Sequence, residues 1–230
     1  AAYNRFVERH LTRNYLGHLA HGLLGQTGFR LLNAPTFLPA YVMFLSGGSN
    51  LAVGVILSLQ ALGMVITPLI GANLIEHRRR VLPVGFITGG IMRGTVLLIG
   101  LAGLFLPPPA ALFAIGVFIL AFGLFMGLQG LVFNFLMSKV IPVSKRGRLT
   151  GLRNFLAGLT SAAVAWLGGT FFIGETPTVE GYSYTFIMAF VLTSVGLAML
   201  VVIREPEPPT VRAPTALGSR LKQIPGLLRE

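Results

Sequence analysis

The chain has 230 residues, of which 53% are hydrophobic and only 11% are charged, and its formal net charge at pH 7 is +11. Soluble domains carry about 25% charged residues, so this composition excludes an ordinary soluble domain and indicates an integral membrane protein. Cysteine is absent, which excludes a disulfide framework and a thiolate metal site, and we expect no cofactor and no metal. Because the basic residues lie in short segments between apolar stretches, we do not expect a nucleic acid partner.

Six apolar stretches are each long enough to cross a hydrocarbon core, which requires about 20 helical residues. They are Tyr15–Leu45, Leu51–Ile75, Val81–Leu106, Ala110–Met137, Leu149–Ile173 and Tyr184–Ile203. Their continuous apolar character is typical of helices and not of barrel strands. We predict an all-α, multi-pass transmembrane domain over residues 1–204, in a plasma membrane or bacterial inner membrane.

Residues 205–230 are rich in proline and basic residues. We predict a cytoplasmic linker here, and its last part is compatible with a short amphipathic helix on the membrane surface. The chain opens with Ala and its last pattern is incomplete, so we expect both ends to be cut.

Apart from Arg30 and Arg93, which fall near mid-span, the basic residues occur in four segments: before the first span, between the second and third, around the connection of the fourth and fifth, and after the sixth. The other three loops contain no Lys or Arg. With an even number of spans, all four basic segments fall on one side of the membrane. The positive-inside rule makes that side cytoplasmic, so we predict that both termini are cytoplasmic.

The first span carries an unusual polar stripe. Gln26, Arg30 and Asn33 are spaced i, i+4, i+7 and therefore share one helix face. A charged side chain at the bilayer centre costs at least about 2.5 kcal/mol, so it usually faces a cavity or a partner. We predict that the stripe lines a solute pathway; the alternative is that it pairs with other helices for packing. Pro35 and Pro39 are expected to weaken the second half of this helix and to kink it.

Further polar residues lie inside the other spans. Gln129 and Asn134 of the fourth span are predicted to be additional solute ligands. Arg93 is surrounded by glycines, which indicates tight helix contact, and we predict a structural role for it and for Gln60 and Asn154.

None of the six spans contains Asp or Glu. Proton-coupled carriers commonly use a buried carboxylate. If this protein couples to protons, the carboxylate lies elsewhere, or His18 or His21 takes its place; a solvated histidine is the default interpretation of both. Without an intramembrane carboxylate, a cysteine or an HExxH motif, we predict that the protein is not an enzyme.

Two stretches carry a family resemblance: "GANLIEHRRRVLP" at 71–83 and "VIPVSKRGRLTGLRNFLAGL" at 140–159. Together with six spans and a following basic, proline-containing segment, they resemble the amino-terminal half of a major facilitator superfamily transporter. The resemblance implies a six-helix bundle of two inverted three-helix repeats, with solute near midplane between two such bundles. It also implies that the first and fourth helices line the cavity and that the third is peripheral.

The resemblance further implies a cytoplasmic acid–arginine latch that holds one gating state. The candidate residues of this motif are Gly71, Glu76, Arg79, Arg80, Arg148 and Arg153. Glu76 is the acid nearest to the family's usual Asp, one position late, and would pair with Arg148 or Arg153. The alternative is that the arginines at 78–80 only set the topology and contact anionic lipid.

These observations favour secondary active transport by alternating access, with this chain as one half of the transporter. The second half would belong to the same full-length chain or to a second copy in a homodimer. A fixed cation in a cavity of low dielectric constant favours an anionic or carboxylate-bearing solute. The alternative is a membrane scaffold or receptor of the same fold that does not transport and binds a protein partner, but the minimal loops offer little docking surface.

Overall fold

The computed structural model describes residues 2–32, 37–75 and 77–207, without the side chains of 68–70 and 72–74. This part of the chain is helical and contains no strand. Its α-helices are α1 (Ala2–Arg9), α2 (Leu11–Phe29), α3 (Phe37–Leu45), α4 (Asn50–Ile75), α5 (Leu82–Phe105), α6 (Pro108–Val140), α7 (Val143–Leu167) and α8 (Val179–Ala198). A π-helical segment, Gly168–Ile173, continues α7, and a 3₁₀ turn, Met199–Val202, continues α8.

Five helices of the described chain are long and apolar enough to cross a membrane. They are Asn50–Thr67, Leu82–Phe105, Pro108–Val140, Val143–Ile173 and Val179–Val202. These correspond to the second to sixth predicted spans, so the all-α transmembrane architecture is confirmed. The domain boundary at residue 204 stays a prediction.

The first predicted span is not the single continuous helix that Tyr15–Leu45 implies. Helix α2 ends at Phe29, residues 30–32 form a turn, and α3 begins only at Phe37. The physical reason lies in Pro35, which has no N–H to donate to a carbonyl one turn earlier and disfavours helical backbone in the residue before it. Asn33 and Pro35 lie outside the described residues.

The helices follow one another in a row of contacts: α4 packs on α6, α6 on α5, α5 on α8, α8 on α2, and α2 on α7. Helix α3 contacts α4, α6 and α8. The interior of the row is best buried: 56% of the residues in the α5 span are buried, against 22% for α4 and 17% for α7. Helices α4 and α7 therefore form the two open edges of the bundle.

Four segments of the chain meet at one end of the bundle, which we call the basic end. The Tyr3 hydroxyl donates to the carbonyl of Lys139 at 3.1 Å. The amide of Asn14 donates to the carbonyl of Arg204 at 3.1 Å and accepts from its N–H at 2.8 Å. The N-terminal helices, the end of α6 and the residues after α8 are thereby joined, together with the start of α5 described below. This arrangement agrees with the predicted placement of the basic segments on one side.

Helices α4 and α6 touch backbone to backbone where glycines face the partner helix. A Cβ atom on Gly123 would lie 2.2 Å from the carbonyl oxygen of Gln60, and one on Gly63 would lie 2.5 Å from the carbonyl oxygen of Leu120. Small residues permit this approach, which membrane helices use because lipid gives no hydrophobic drive for association. Gly130 of α6, in contrast, is exposed and has open space around it.

We predict that Gly123→Ala forces α4 and α6 apart, because the obstructing atom is backbone and cannot rotate away. Overpacking of this kind costs about 1–3 kcal/mol, and thermal unfolding in detergent should show a Tm lower by several degrees. Gly130→Ala on the same helix is the matched control and should leave Tm unchanged or raise it, since Ala is the better helix former. Equal Tm values for the two variants would contradict the close α4–α6 contact.

Candidate functional site

Helices α2 and α7 meet through polar side chains. The Gln26 amide nitrogen Nε2 donates to Oδ1 of Asn154 at 3.1 Å, and the hydroxyls of Thr27 and Thr160 are hydrogen-bonded at 2.5 Å. Two arginines lie beside these pairs. We call the whole group the polar seam: Gln26, Thr27 and Arg30 of α2 and its end, with Arg153, Asn154 and Thr160 of α7.

The Arg153 side chain lies across α2 at a glycine. A Cβ atom on Gly22 would lie 2.3 Å from Cδ of Arg153, so the arginine occupies the space that the missing side chain leaves. Its Nη2 donates to Asn154 Oδ1 at 3.3 Å, and its Cζ lies 4.7 Å from the centroid of the Phe133 ring. Neither of these neighbours carries a negative charge.

Arg30 is the exposed cation of the polar seam. It follows the last residue of α2, where the negative end of the helix dipole favours a cation. Its guanidinium reaches α7: a Cβ atom on Gly158 would lie 3.8 Å from its Nη1. The Arg30 guanidinium therefore lies beside Gly158 of α7, about one and a half turns along that helix from Arg153.

Two side chains of α2 contain buried polar atoms without a hydrogen-bond partner among the described residues. His18 is fully buried and neither ring nitrogen is paired; its ring packs edge-on against Phe133, with centroids 5.1 Å apart. The second case is Oε1 of Gln26. His21 differs, because its Nδ1 donates to the carbonyl of Gly196 at 2.9 Å. An unpaired buried polar group costs about 1–3 kcal/mol.

The amide orientation of Gln26 follows from its neighbours. Asn154 Oδ1 also accepts from the guanidinium of Arg153, so it faces Gln26 as an acceptor. Gln26 must then present Nε2 to it, which leaves Oε1 as the unpaired acceptor.

Gln129, a predicted solute ligand, does not join the polar seam. It is buried, and its Nε2 donates to the carbonyl of Gly85 at 2.8 Å and to the Thr88 hydroxyl at 2.6 Å, both on α5. It lies with Arg93 in the space beside Gly89, where a Cβ atom would be 3.0 Å from Gln129 and 2.9 Å from Arg93. The other predicted ligand on α6, Asn134, is exposed.

Arg93 links α5 to two neighbouring helices. It is 2% exposed; its Nε donates to the carbonyl of Thr193 at 2.6 Å and its Nη1 to that of Gly89 at 2.8 Å. Its Cζ lies 5.2 Å from the centroid of Phe29. Gln60, also predicted to be structural, is buried in α4. Asn154, predicted to be structural, belongs to the polar seam.

Glu205 forms a buried contact at the basic end that the sequence analysis missed. Its carboxylate accepts from the N–H groups of Val81 and Leu82 at 2.8–2.9 Å, where α5 begins, and from Nζ of Lys139 at 2.7 Å. The two charged side chains are 2% and 8% exposed. Nζ of Lys139 also donates to the carbonyl of Arg79 at 2.9 Å. The carboxylate thus ties the chain after α8 to α5 and α6.

The predicted latch residues are only partly described. Glu76 lies outside the described residues, and Gly71 is buried against α6. Arg80 pairs with Glu207 at 2.9 Å in an exposed contact. Arg148 lines a groove with Lys145 between α2 and α7.

The family sequence model of the Major Facilitator Superfamily matches residues 23–229, which is most of the chain. The chain belongs to the major facilitator superfamily. Comparison with curated proteins and with solved structures gives no match. Membership makes this an integral, multi-pass membrane protein of a family that transports small solutes.

The superfamily resemblance made Arg153 a candidate for the latch, but the structure places it in the polar seam. The part of this position that the sequence shows is that Arg153 precedes Asn154; the space at Gly22 follows only from the packing of α2 on α7. Glu205 gave no such signal, because the residues that it contacts are 66 and 124 positions away.

We predict that Glu205→Ala destabilises the protein strongly, because Lys139 and two N–H groups then lose a buried acceptor. Removing one partner of a buried ion pair costs about 3–5 kcal/mol, which thermal unfolding in detergent will register as a large drop in Tm. Glu207→Ala removes a carboxylate two residues away whose ion pair is exposed, and should cost less than about 1 kcal/mol. Similar losses for both variants would refute the anchoring role of Glu205.

Proposed function

We propose that this superfamily member carries a small organic anion across the membrane by alternating access, and that the polar seam contributes to its solute site. The single observation on which this rests is the position of Arg153, a half-buried cation within a membrane span whose described neighbours are an amide and an aromatic ring. A cation in such surroundings interacts strongly with an anion, because little water screens it.

Arg30 adds a second positive charge to the same site. Two guanidinium groups presented by α2 and α7 suit a carboxylate, since the planar fork of arginine matches carboxylate geometry. The seven glutamates of the chain lie outside the six predicted spans, so a solute anion is a natural counter-ion for Arg153.

The unpaired Oε1 of Gln26 refines the solute class. It is an acceptor and requires a donor, which a simple carboxylate does not supply. We therefore infer that the solute carries a hydroxyl or amino group besides its carboxylate, as hydroxy acids and amino acids do.

The second six-helix half that the proposal requires would cover the open edges of the bundle. Helices α4 and α7 present large exposed apolar side chains, among them Leu51 and Val65 of α4 and Phe155 and Trp166 of α7. In the proposed transporter these edges face the second half or lipid. The half would come from the same full-length chain or from a second copy.

The test is a ligand-dependent thermal shift on the full-length protein in detergent, with L-lactate, propionate, choline and glycerol as probes. At ten times its dissociation constant a ligand stabilises the native state by about 1.4 kcal/mol, which raises Tm by a few degrees. We expect stabilisation by the anions and none by choline or glycerol. Arg153→Gln and Arg30→Gln should abolish it, and Arg153→Lys should retain part of it.

Lys145→Gln is the matched control, because it removes one positive charge from the same helix outside the polar seam. A shift that survives Arg153→Gln as fully as it survives Lys145→Gln would refute the solute site. If no anion stabilises the protein while a protein partner does, the non-transporting scaffold is the better reading. If an anion does stabilise the protein, counterflow of labelled lactate in proteoliposomes distinguishes transport of the anion from binding alone.

The role of Gln26 has its own prediction. Lactate and propionate differ by a hydroxyl, so the native protein should prefer lactate, and Gln26→Leu should remove this preference while leaving the response to propionate. A preference for lactate that is unchanged in Gln26→Leu would refute the hydroxyl contact.

A further inference from the structure

A groove of about 690 Å³ opens at the basic end, and none of its lining residues belongs to the polar seam. It lies between α1, α2, the start of α5 and the end of α8. Its polar lining contains three arginines, Arg13, Arg80 and Arg204. Its apolar walls include Phe6, Phe86 and Val201.

The groove carries a net positive charge. All three arginines are exposed, and the Arg80 side chain is 63% exposed although its Nε pairs with Glu207. Glu205 also borders the groove, but its carboxylate is engaged with Lys139 and the start of α5. The arginines therefore dominate the field inside the groove.

The groove lies at the level where the apolar spans begin, since α5 starts at Leu82 and the turn after α8 ends at Val202. Below it, exposed apolar residues continue along both helices. Ile87 and Ile91 of α5 and Val195 of α8 are exposed, Ile87 to 65%. An amphiphile with its charged end among the arginines would lay its hydrocarbon along this surface.

We propose that this groove binds an anionic phospholipid, with the phosphate among Arg13, Arg80 and Arg204 and an acyl chain along α5 and α8. Basic pockets at helix ends attract anionic headgroups, and the apolar walls fit the chain below them. This site is separate from the polar seam and independent of the proposed solute.

The segment after residue 207 is the competing occupant, because it follows directly on the groove. Its composition argues against it: residues 208–230 contain four basic residues and one acidic residue. Because the segment and the groove are both positively charged, the segment is a poor electrostatic complement to the groove. An anionic lipid carries the opposite charge.

The first test measures binding of phosphatidylglycerol and phosphatidylcholine to the full-length protein in detergent by native mass spectrometry. We expect preferential binding of phosphatidylglycerol, weakened about 30-fold in Arg80→Gln/Arg204→Gln, which removes two groove arginines. Arg5→Gln/Arg9→Gln is the matched control: it removes two exposed arginines of α1 that do not line the groove, and should weaken binding at most about threefold. Inorganic phosphate should not compete, because it lacks the acyl chain.

A second measurement does not depend on the arginine variants folding. In Trp166→Phe/Phe86→Trp, the single tryptophan lies in the groove wall, and its fluorescence is quenched by a brominated acyl chain close to it. We expect stronger quenching by brominated phosphatidylglycerol than by brominated phosphatidylcholine at equal content in vesicles. Equal quenching by both lipids, or equal weakening in the two double variants, would overturn the proposal. If neither brominated lipid quenches the tryptophan fluorescence, protein covers the groove, and this result would also overturn the proposal.

Discussion

A polar group inside a hydrocarbon layer must find its hydrogen bonds within the protein, and this constraint organises the bundle. Arg93 shows how it is met: its guanidinium is buried between α5 and α8 and donates to carbonyl oxygens of both helices. Gln129 does the same from α6 to α5. Gly89 provides the space that both side chains fill. The best buried span of the bundle is thus the one whose polar groups are satisfied by neighbouring backbone.

Helix α2 departs from this rule at two side chains, and α7 at one, Ser161, which makes the contact of these two helices the functional candidate. His18 and Gln26 bury polar atoms that no described residue pairs with, although the price in stability is appreciable. The same helix ends at Phe29, so that Arg30 occupies a helix terminus inside the predicted span. A terminus leaves carbonyl groups available and favours a cation, which explains how an arginine is tolerated there.

Much of the fold was predictable because lipid exposure is encoded in composition. Runs of apolar residues marked five spans correctly, and the basic segments marked one end of the bundle. Which neighbouring helix a polar side chain contacts was harder to predict from the sequence. Gln129 and Gln26 are the same residue type, yet one faces α5 and the other α7, and only helix packing decides this. The break after Phe29 was underestimated, since Pro35 was expected to kink the helix. Glu205 was missed because its partners are distant in sequence.

The contact of α4 with α6 and the contact of α2 with α7 also differ in how easily the helices separate. Helices α4 and α6 meet at Gly63 and Gly123, where backbone touches backbone and any separation opens a void that loses dispersion contacts. Helix α7 has α2 as its main packing partner and buries only Leu149, Ala157 and Ser161. Its contacts with α2 combine an apolar cluster that contains Leu149, Leu11 and Tyr15 with hydrogen bonds between polar side chains, and water or a solute can replace those hydrogen bonds at little cost. Elements with few buried apolar contacts open at the lowest free energy. Movement that exposes the polar seam is therefore expected between α2 and α7, while the α4–α6 pair moves as one body.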